Sequence, residues 1–208
     1  MRLILASASP RRAELLRSAG YTFEVVVAKV DESIRPNESP SAYVRRLAAD
    51  KSAAALARVT ADLNVDACTT CDVGQAFGPA VPVILGADTT VVVDGEILGK
   101  PRDDGDGRDM LRRLSGHAHQ VLTGVSLRQG AYEVGHVEVT SVTFRALSEE
   151  DVAWYVASGE GRDKAGGYAI QGLASRFIPR ISGSYSNVVG LPVACLDELL
   201  RSLLASRR

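Results

Sequence analysis

The sequence predicts a mixed α/β fold, a twisted sheet with helices on its faces. Three observations carry this. Strand and helix signals alternate along the chain. Two long strand candidates, His119 to Arg128 and Val134 to Phe144, are joined through Gly130 as an antiparallel hairpin, which a purely doubly wound sheet would lack. Asp94-Gly95 between apolar runs marks a second tight hairpin turn.

The elements follow in order. Leu3 to Ala6 is an apolar run ending in a small residue, and reads as a strand. Arg11 to Ala19 carries Ala13, Leu15, Leu16 and Ala19 at helical spacing, and Pro10 stands at the first helical position, where its missing N–H costs nothing. Phe23 to Val27 is the second strand. A helix from Pro40 to Arg58 has its buried stripe at Tyr43, Val44, Leu47, Ala48 and Leu56. Val83 to Ala87 with Thr90 to Val93 reads as strand, interrupted by Asp88 and Thr89. Gly107 to Leu114 is a helix, as is Glu149 to Ser158, which Ser148 and three acids in the first turn announce. Ala174 to Ile178 is expected as a strand, and Pro192 to Leu204 as the last helix. Asn64 to Pro82, with Gly74, Gly78, Pro79 and Pro82, reads as a loop insertion in a chain otherwise organised as one unit over residues 1–208.

Composition narrows the class. Over 208 residues, 46% hydrophobic and 24% charged content is ordinary for a globular protein with a sizeable core. A net charge of −1 argues against a protein that coats nucleic acid, which needs a basic field over a whole face. No apolar run reaches membrane-spanning length, Met1 to Leu5 reads as a strand start, and the three cysteines form an odd set, so a reducing, cytoplasmic setting is expected. Cys68-Thr-Thr-Cys71 lacks a second ligand pair to complete a structural zinc site; the histidines are only His117, His119 and His136.

Four fragments read as parts of one polyanion site: Ser7 to Arg12 (S-x-S-P-R-R), Lys51, Gly86 to Thr90 (G-A-D-T-T) and Gly99 to Pro101 (G-K-P). A strand, a small-residue turn and a helix start present free N–H groups to an anion. Arg11 and Arg12 at that end oppose the macrodipole, which points to a ligand rather than to helix stability. Lys51 falls beside the buried stripe one turn after Leu47, where a lysine also snorkels. Asp88 breaks a near-continuous apolar run, so it lies at a strand end or is buried; a buried carboxylate needs a metal, a cation or a shifted pKa. The Asp94-Gly95 turn brings Lys100 back toward Asp88, as a catalytic pair or a plain cross-strand ion pair. Asp31-Glu32 suits a divalent cation, a helix cap or a solvated turn. The segment Asp163 to Gly172 is a glycine-dense loop that admits close approach of a planar ligand, with Gln171 able to donate to and accept from a base edge, and Gly183 to Pro192 is a second such loop opening the final helix.

Together with Met110 to Gly116, Asp163 to Gly166 and Gly190 to Pro192, these fragments make the chain resemble, almost end to end, the Maf family of nucleoside triphosphate pyrophosphatases. The resemblance implies a deep cleft in a mixed α/β fold related in shape to inosine triphosphate pyrophosphatases, and often a homodimer. It implies hydrolysis between the α and β phosphates, giving monophosphate and pyrophosphate. It makes Asp88 the proton acceptor and Glu32, Lys51 and Lys100 further residues of the catalytic cleft. Arg12, with the two lysines, would stabilise the transition-state oxygens and the leaving pyrophosphate. Arg11, Thr89 and Gln171 fall where base specificity is set, with Ser9 in the same substrate-binding turn. A divalent cation, Mg²⁺ or Mn²⁺, would be held by Glu32 and the triphosphate, with Asp88 a further candidate ligand. Ala-Asp-Thr after Gly86 and Ile-Gln-Gly at 170–172 are similar to the branch acting on dTTP and UTP, with modified pyrimidine nucleotides as further substrates. The alternatives are the 7-methyl-GTP branch and a non-catalytic nucleotide-binding regulator of cell division.

Overall fold

Alternation in the polar pattern becomes the two faces of a sheet. The computed structural model describes residues 1–65 and 81–205, and among these a seven-stranded sheet runs β2-β1-β3-β5-β6-β7, with β4 paired to β3. The strands are Leu3–Leu5 (β1), Phe23–Val25 (β2), Val83–Val93 (β3), Glu96–Leu98 (β4), Ala118–Gln129 (β5), Tyr132–Thr143 (β6) and Arg180–Ser182 (β7). Parallel pairing is confined to β1, with β2 on one side and β3 on the other; the pairs involving β4 to β7 are antiparallel. The sheet is therefore mixed, as the hairpin signal predicts.

Among the described residues six α-helices accompany it: Pro10–Ser18 (α1), Pro40–Val65 (α2), Asp104–Leu114 (α3), Glu149–Ala157 (α4), Tyr185–Val189 (α5) and Val193–Ala205 (α6). Pro10 is the first residue of α1. Ser148 and Asp151 form a complete capping box at α4. The Asp94-Gly95 turn has positive φ at both residues, 52° and 80°, the conformation that a two-residue hairpin requires.

One face of the sheet packs on α1 and α6 through Leu16, Leu85, Val125, Leu127, Leu196 and Leu200. The other face carries α2, with Val44, Leu47, Ala48 and Ala55 fully buried; each buried Val or Leu stabilises the packing by about 1.5–3 kcal/mol. A third cluster, around Leu111, Phe144, Tyr155, Tyr168 and Phe177, joins α3 and α4 to the distal ends of β3, β5 and β6. No helix among the described residues is long and apolar enough to cross a membrane.

The structure departs from the sequence expectations in four places. Asp88 and Thr89 do not interrupt the strand; β3 runs unbroken through them, because cross-strand pairing to β5 continues at both positions. α2 extends to Val65, so the expected insertion begins inside a helix; Cys68 and Cys71 lie outside the described residues. Leu173–Phe177 is 3₁₀-helical rather than extended, since a three-residue period puts both Ala174 and Phe177 into the aromatic cluster. The strand comes later, at Arg180–Ser182 on the edge of β6. Within Gly183 to Pro192 the chain forms α5, capped by Ser184 accepting from the Asn187 N–H.

Candidate active site

A cleft of about 810 Å³ is lined by residues from all four fragments of the expected polyanion site and from the Asp31-Glu32 and Asp163 to Gly172 segments, among them Ser9, Arg11, Arg12, Glu32, Lys51, Asp88, Thr89, Lys100 and Gln171; Met110 to Gly116 does not reach it. What brings them together is the close approach of α2 to the sheet. Gly86 and Gly124 lie on the face beneath the helix, and a Cβ on either would fall 2.1 Å from a helix carbonyl oxygen, that of Ala48 and of Val44 respectively. Gly124 is also the cross-strand partner of Asp88. Two missing side chains thus lower the helix onto the strands and set Lys51 beside Asp88.

Lys51 Nζ lies 2.6 Å from Asp88 Oδ1 and 2.7 Å from Glu32 Oε1. Both Lys51 and Asp88 side chains are 12% exposed, whereas Glu32 is 57% exposed. The lysine therefore reaches into the cleft instead of snorkelling along the helix. Glu32 arrives on a loop that α2 holds down: Tyr43 donates its hydroxyl to the Glu32 carbonyl at 3.0 Å, and Arg46 pairs with Glu38 at 2.6 Å while donating to the Ser33 carbonyl. Burial tends to raise the Glu32 carboxyl, but the Lys51 hydrogen bond and the charges of Lys51, Lys100 and Arg12 outweigh it and leave the group below its ordinary value. The Tyr43 hydroxyl is pushed up to about 12, first by burial and then by the charges of Asp88 and Glu32. Asp31, the other half of the acidic pair, accepts from the Ser33 N–H and serves its own turn.

Asp88 and Lys100 line the same cleft, but the plain cross-strand ion pair between them is not formed; the ionic partner of Asp88 is Lys51. The β3–β4 ladder ends at Val91 and Leu98, and the next residue, Gly99, gives its carbonyl to the Gly166 N–H, which draws the exit of β4 away from Asp88. Lys100 is exposed on the same cleft, where its charge acts on Glu32.

Thr89 points to the other face. Its hydroxyl accepts from Arg12 Nη2 at 3.0 Å and lies 3.0 Å from Thr123 Oγ1. Arg12 is buried and bonds the protein through each of its nitrogens, with Nε on the Gly190 carbonyl at 2.8 Å and Nη1 on Ser7 Oγ at 3.1 Å. Burial lowers the Arg12 guanidinium, and the charge of Asp88 opposes that. Behind it, buried Asn187 donates to the Val121 carbonyl and to Thr140 Oγ1. Arg11 and Ser9 are half-buried at the start of α1, and Gln171 is exposed on the loop after Tyr168. Sequence reading missed Tyr43, Arg46 and Asn187. Tyr43 was visible only as a stripe residue, and a single arginine or asparagine announces no distant partner.

Two carboxylates, Glu32 and Asp88, flank one point of this cleft as hard oxygen donors. That set fits a small divalent cation completed by phosphate oxygens, since Mg²⁺ is usually held by one or two carboxylates and the substrate.

Sheet topology, cleft and polar set define the class, and the chain belongs to the Maf-like protein family, whose model matches residues 2–203. Among named relatives, it is 47% identical over 205 residues to the dTTP/UTP pyrophosphatase of Escherichia coli O157:H7, covering 99% of this chain and 94% of that one. It is 46% identical, with the same coverage, to the dTTP/UTP pyrophosphatase of Escherichia coli strain K12 and to the nucleoside triphosphate pyrophosphatase of Shigella flexneri. Among solved structures, the Ham1 protein of Staphylococcus aureus matches with a TM-score of 0.45 at 13% identity, over 69% of this chain and 72% of that one; so slight a likeness bears on neither fold nor chemistry.

Proposed function

We propose that the chain is a nucleoside triphosphate pyrophosphatase that hydrolyses dTTP and UTP to the monophosphate and pyrophosphate. The observation that carries this reading is the Asp88–Lys51 pair, joined by Glu32, in a cleft large enough for a nucleotide, on a chain nearly half identical, end to end, to dTTP/UTP pyrophosphatases.

Asp88 accepts a proton from a water as that water attacks the α phosphorus; the bond from phosphorus to the bridging oxygen breaks, and pyrophosphate leaves with the electron pair. Lys51 fixes the carboxylate orientation, and a substrate phosphate competes for its ammonium when it enters. Lys100, exposed at the rim, meets the outer phosphates. Arg12 presents a fixed positive charge behind the strand and holds the Gly190 backbone against Thr89. Arg11, Ser9, Thr89 and Gln171 stand where the base is read, with Gln171 offering both a donor and an acceptor to a pyrimidine edge. Glu32 and Asp88 would hold Mg²⁺ or Mn²⁺, which when bound supplies neutralisation of the phosphate charge.

The test is pyrophosphate release from dTTP, UTP, CTP and 7-methyl-GTP, with and without Mg²⁺ or Mn²⁺. Metal-dependent turnover of dTTP and UTP above the other two is expected. Preference for 7-methyl-GTP would move the chain to the other branch, and nucleotide binding with no turnover would make it a regulator.

A further inference from the structure

The face of the sheet opposite α2 carries a second set of ligand atoms. Along β6, Val134, His136 and Glu138 alternate with Gly135 and Val137. Val134 packs among the α6 leucines, while Val137 packs with Val44 of α2. His136 and Glu138 therefore stand on the α6 side. Cys195, in the first turn of α6, is a half-buried free thiol. One ligand atom from each of these three residues lies within 4.8 Å of the others, and His136 Nε2 is 3.4 Å from Glu138 Oε2.

Those separations have a chemical meaning. An ion bound tetrahedrally at Zn–N, Zn–O and Zn–S lengths holds its donors about 3.3–3.6 Å apart. The imidazole and carboxylate are already at that spacing, and the thiol needs to close by no more than about 1.5 Å. Among the described residues Glu138 has no arginine or lysine partner; its ion pair is with His136. Burial first, then the charges of Glu138 and Glu198, push the Cys195 thiol up to about 11, and a bound cation would offset those same negative charges. Nitrogen, oxygen and sulfur donors select a borderline transition ion over Mg²⁺ or Mn²⁺, whereas the two carboxylates of the cleft select the reverse. Gly124 and Val137, which stand cross-strand in β5 and β6, separate Asp88 from this trio by two strand spacings, about 10 Å, and by the thickness of the sheet.

We infer that His136, Glu138 and Cys195 form a second cation site, for Zn²⁺ or a like transition ion, that clamps the first turn of α6 to β6 independently of the nucleotide cleft. Three protein ligands leave the fourth position to water.

The experiment uses the full chain with Cys68→Ser and Cys71→Ser, so that Cys195 is the sole thiol. Anaerobic titration with Co²⁺ is expected to give a thiolate-to-cobalt charge-transfer band and tetrahedral visible absorption at one equivalent. Excess Zn²⁺ should abolish both and excess Mg²⁺ should not. His136→Ala and Cys195→Ser should each weaken binding at least tenfold, a typical cost of losing a ligand-shell contact. Saturating Zn²⁺ should raise Tm by about 5 °C in the parent and leave it unchanged in Cys195→Ser. Because His136 is 49% exposed, its alanine variant keeps the fold even if the cysteine variant does not. No charge-transfer band at millimolar Co²⁺, or a band that survives His136→Ala at full affinity, overturns the site.

Discussion

Asp88 and Thr89 are neighbours on one strand, yet they serve opposite faces under different rules. Beneath α2, Asp88 is balanced by charges on movable side chains, a lysine shared with a half-exposed glutamate. On the α1 and α5 side, Thr89 sits in a network with Arg12, Thr123 and the Gly190 carbonyl, in which each of the three Arg12 nitrogens is already bonded to the protein. The difference teaches where chemistry can occur. A carboxylate whose partner can be drawn off by a phosphate is available for chemistry, whereas side chains already bonded to the protein meet a substrate from fixed positions on the wall of the cleft. Leaving a buried polar group unpaired costs about 1–3 kcal/mol, so the two sides should respond differently to substitution.

The largest effect tests the Asp88 side. Asp88→Asn should lower turnover by roughly two to four decades while lowering Tm only modestly, because Lys51 loses one ionic partner but keeps Glu32. Near-normal turnover would break the comparison at once. Next comes the packing that makes the pair possible. Gly124→Ala places a methyl group against the Val44 carbonyl and should destabilise the fold by about 3 kcal/mol, seen as a lower denaturant midpoint. A midpoint within error of the parent would mean that α2 can stand off the sheet without loss. On the Thr89 side, Arg12→Lys keeps the charge but loses the fork that spans Ser7, Thr89 and Gly190; a stability loss of about 2–3 kcal/mol is expected. If stability is unchanged and only kcat falls, Arg12 belongs with Asp88 rather than with the framework.

The smallest effect concerns a framework group with no charged partner. His119 is buried, its Nε2 lies 2.8 Å from the Tyr168 hydroxyl, and its Nδ1 has no partner among the described residues. Burial pushes the imidazole down to about 4. Since the unfolded chain then binds the proton more readily, stability is full above about pH 6.5 and declines as pH falls toward 4. Between pH 6.5 and 5 the loss should be about 2 kcal/mol, and His119→Phe should flatten that stretch of the profile. An unchanged slope in the variant would assign the acid sensitivity to other groups.

Much of this was legible without coordinates. The S-P-R-R turn, the Asp94-Gly95 hairpin and the capped start of α4 are local features, governed by neighbours within a few residues, and they stand where their chemistry puts them. Gly86 was legible as part of a motif but not as a packing device, because its effect lies in the carbonyl of a helix some forty residues away. Asp88 announced itself by breaking an apolar run. Its partner did not, since the hairpin drew attention to Lys100 while the register ends three residues too soon. Extended or helical form at Leu173–Phe177 was settled by which period buries Ala174 and Phe177 together, a fact about the aromatic cluster and not about the segment.

Fold class, most element positions and the residues of the cleft were thus determined by the sequence, through periodicity, turn chemistry and polar residues placed against the apolar pattern. The tertiary structure alone decided which charge meets which, that Arg12 is bound within the protein, and that an imidazole, a carboxylate and a thiol from β6 and α6 share one point in space. Ion pairs and ligand sets are made across long sequence separations, where register and helix approach within about an ångström choose the partner, and no local pattern encodes that distance.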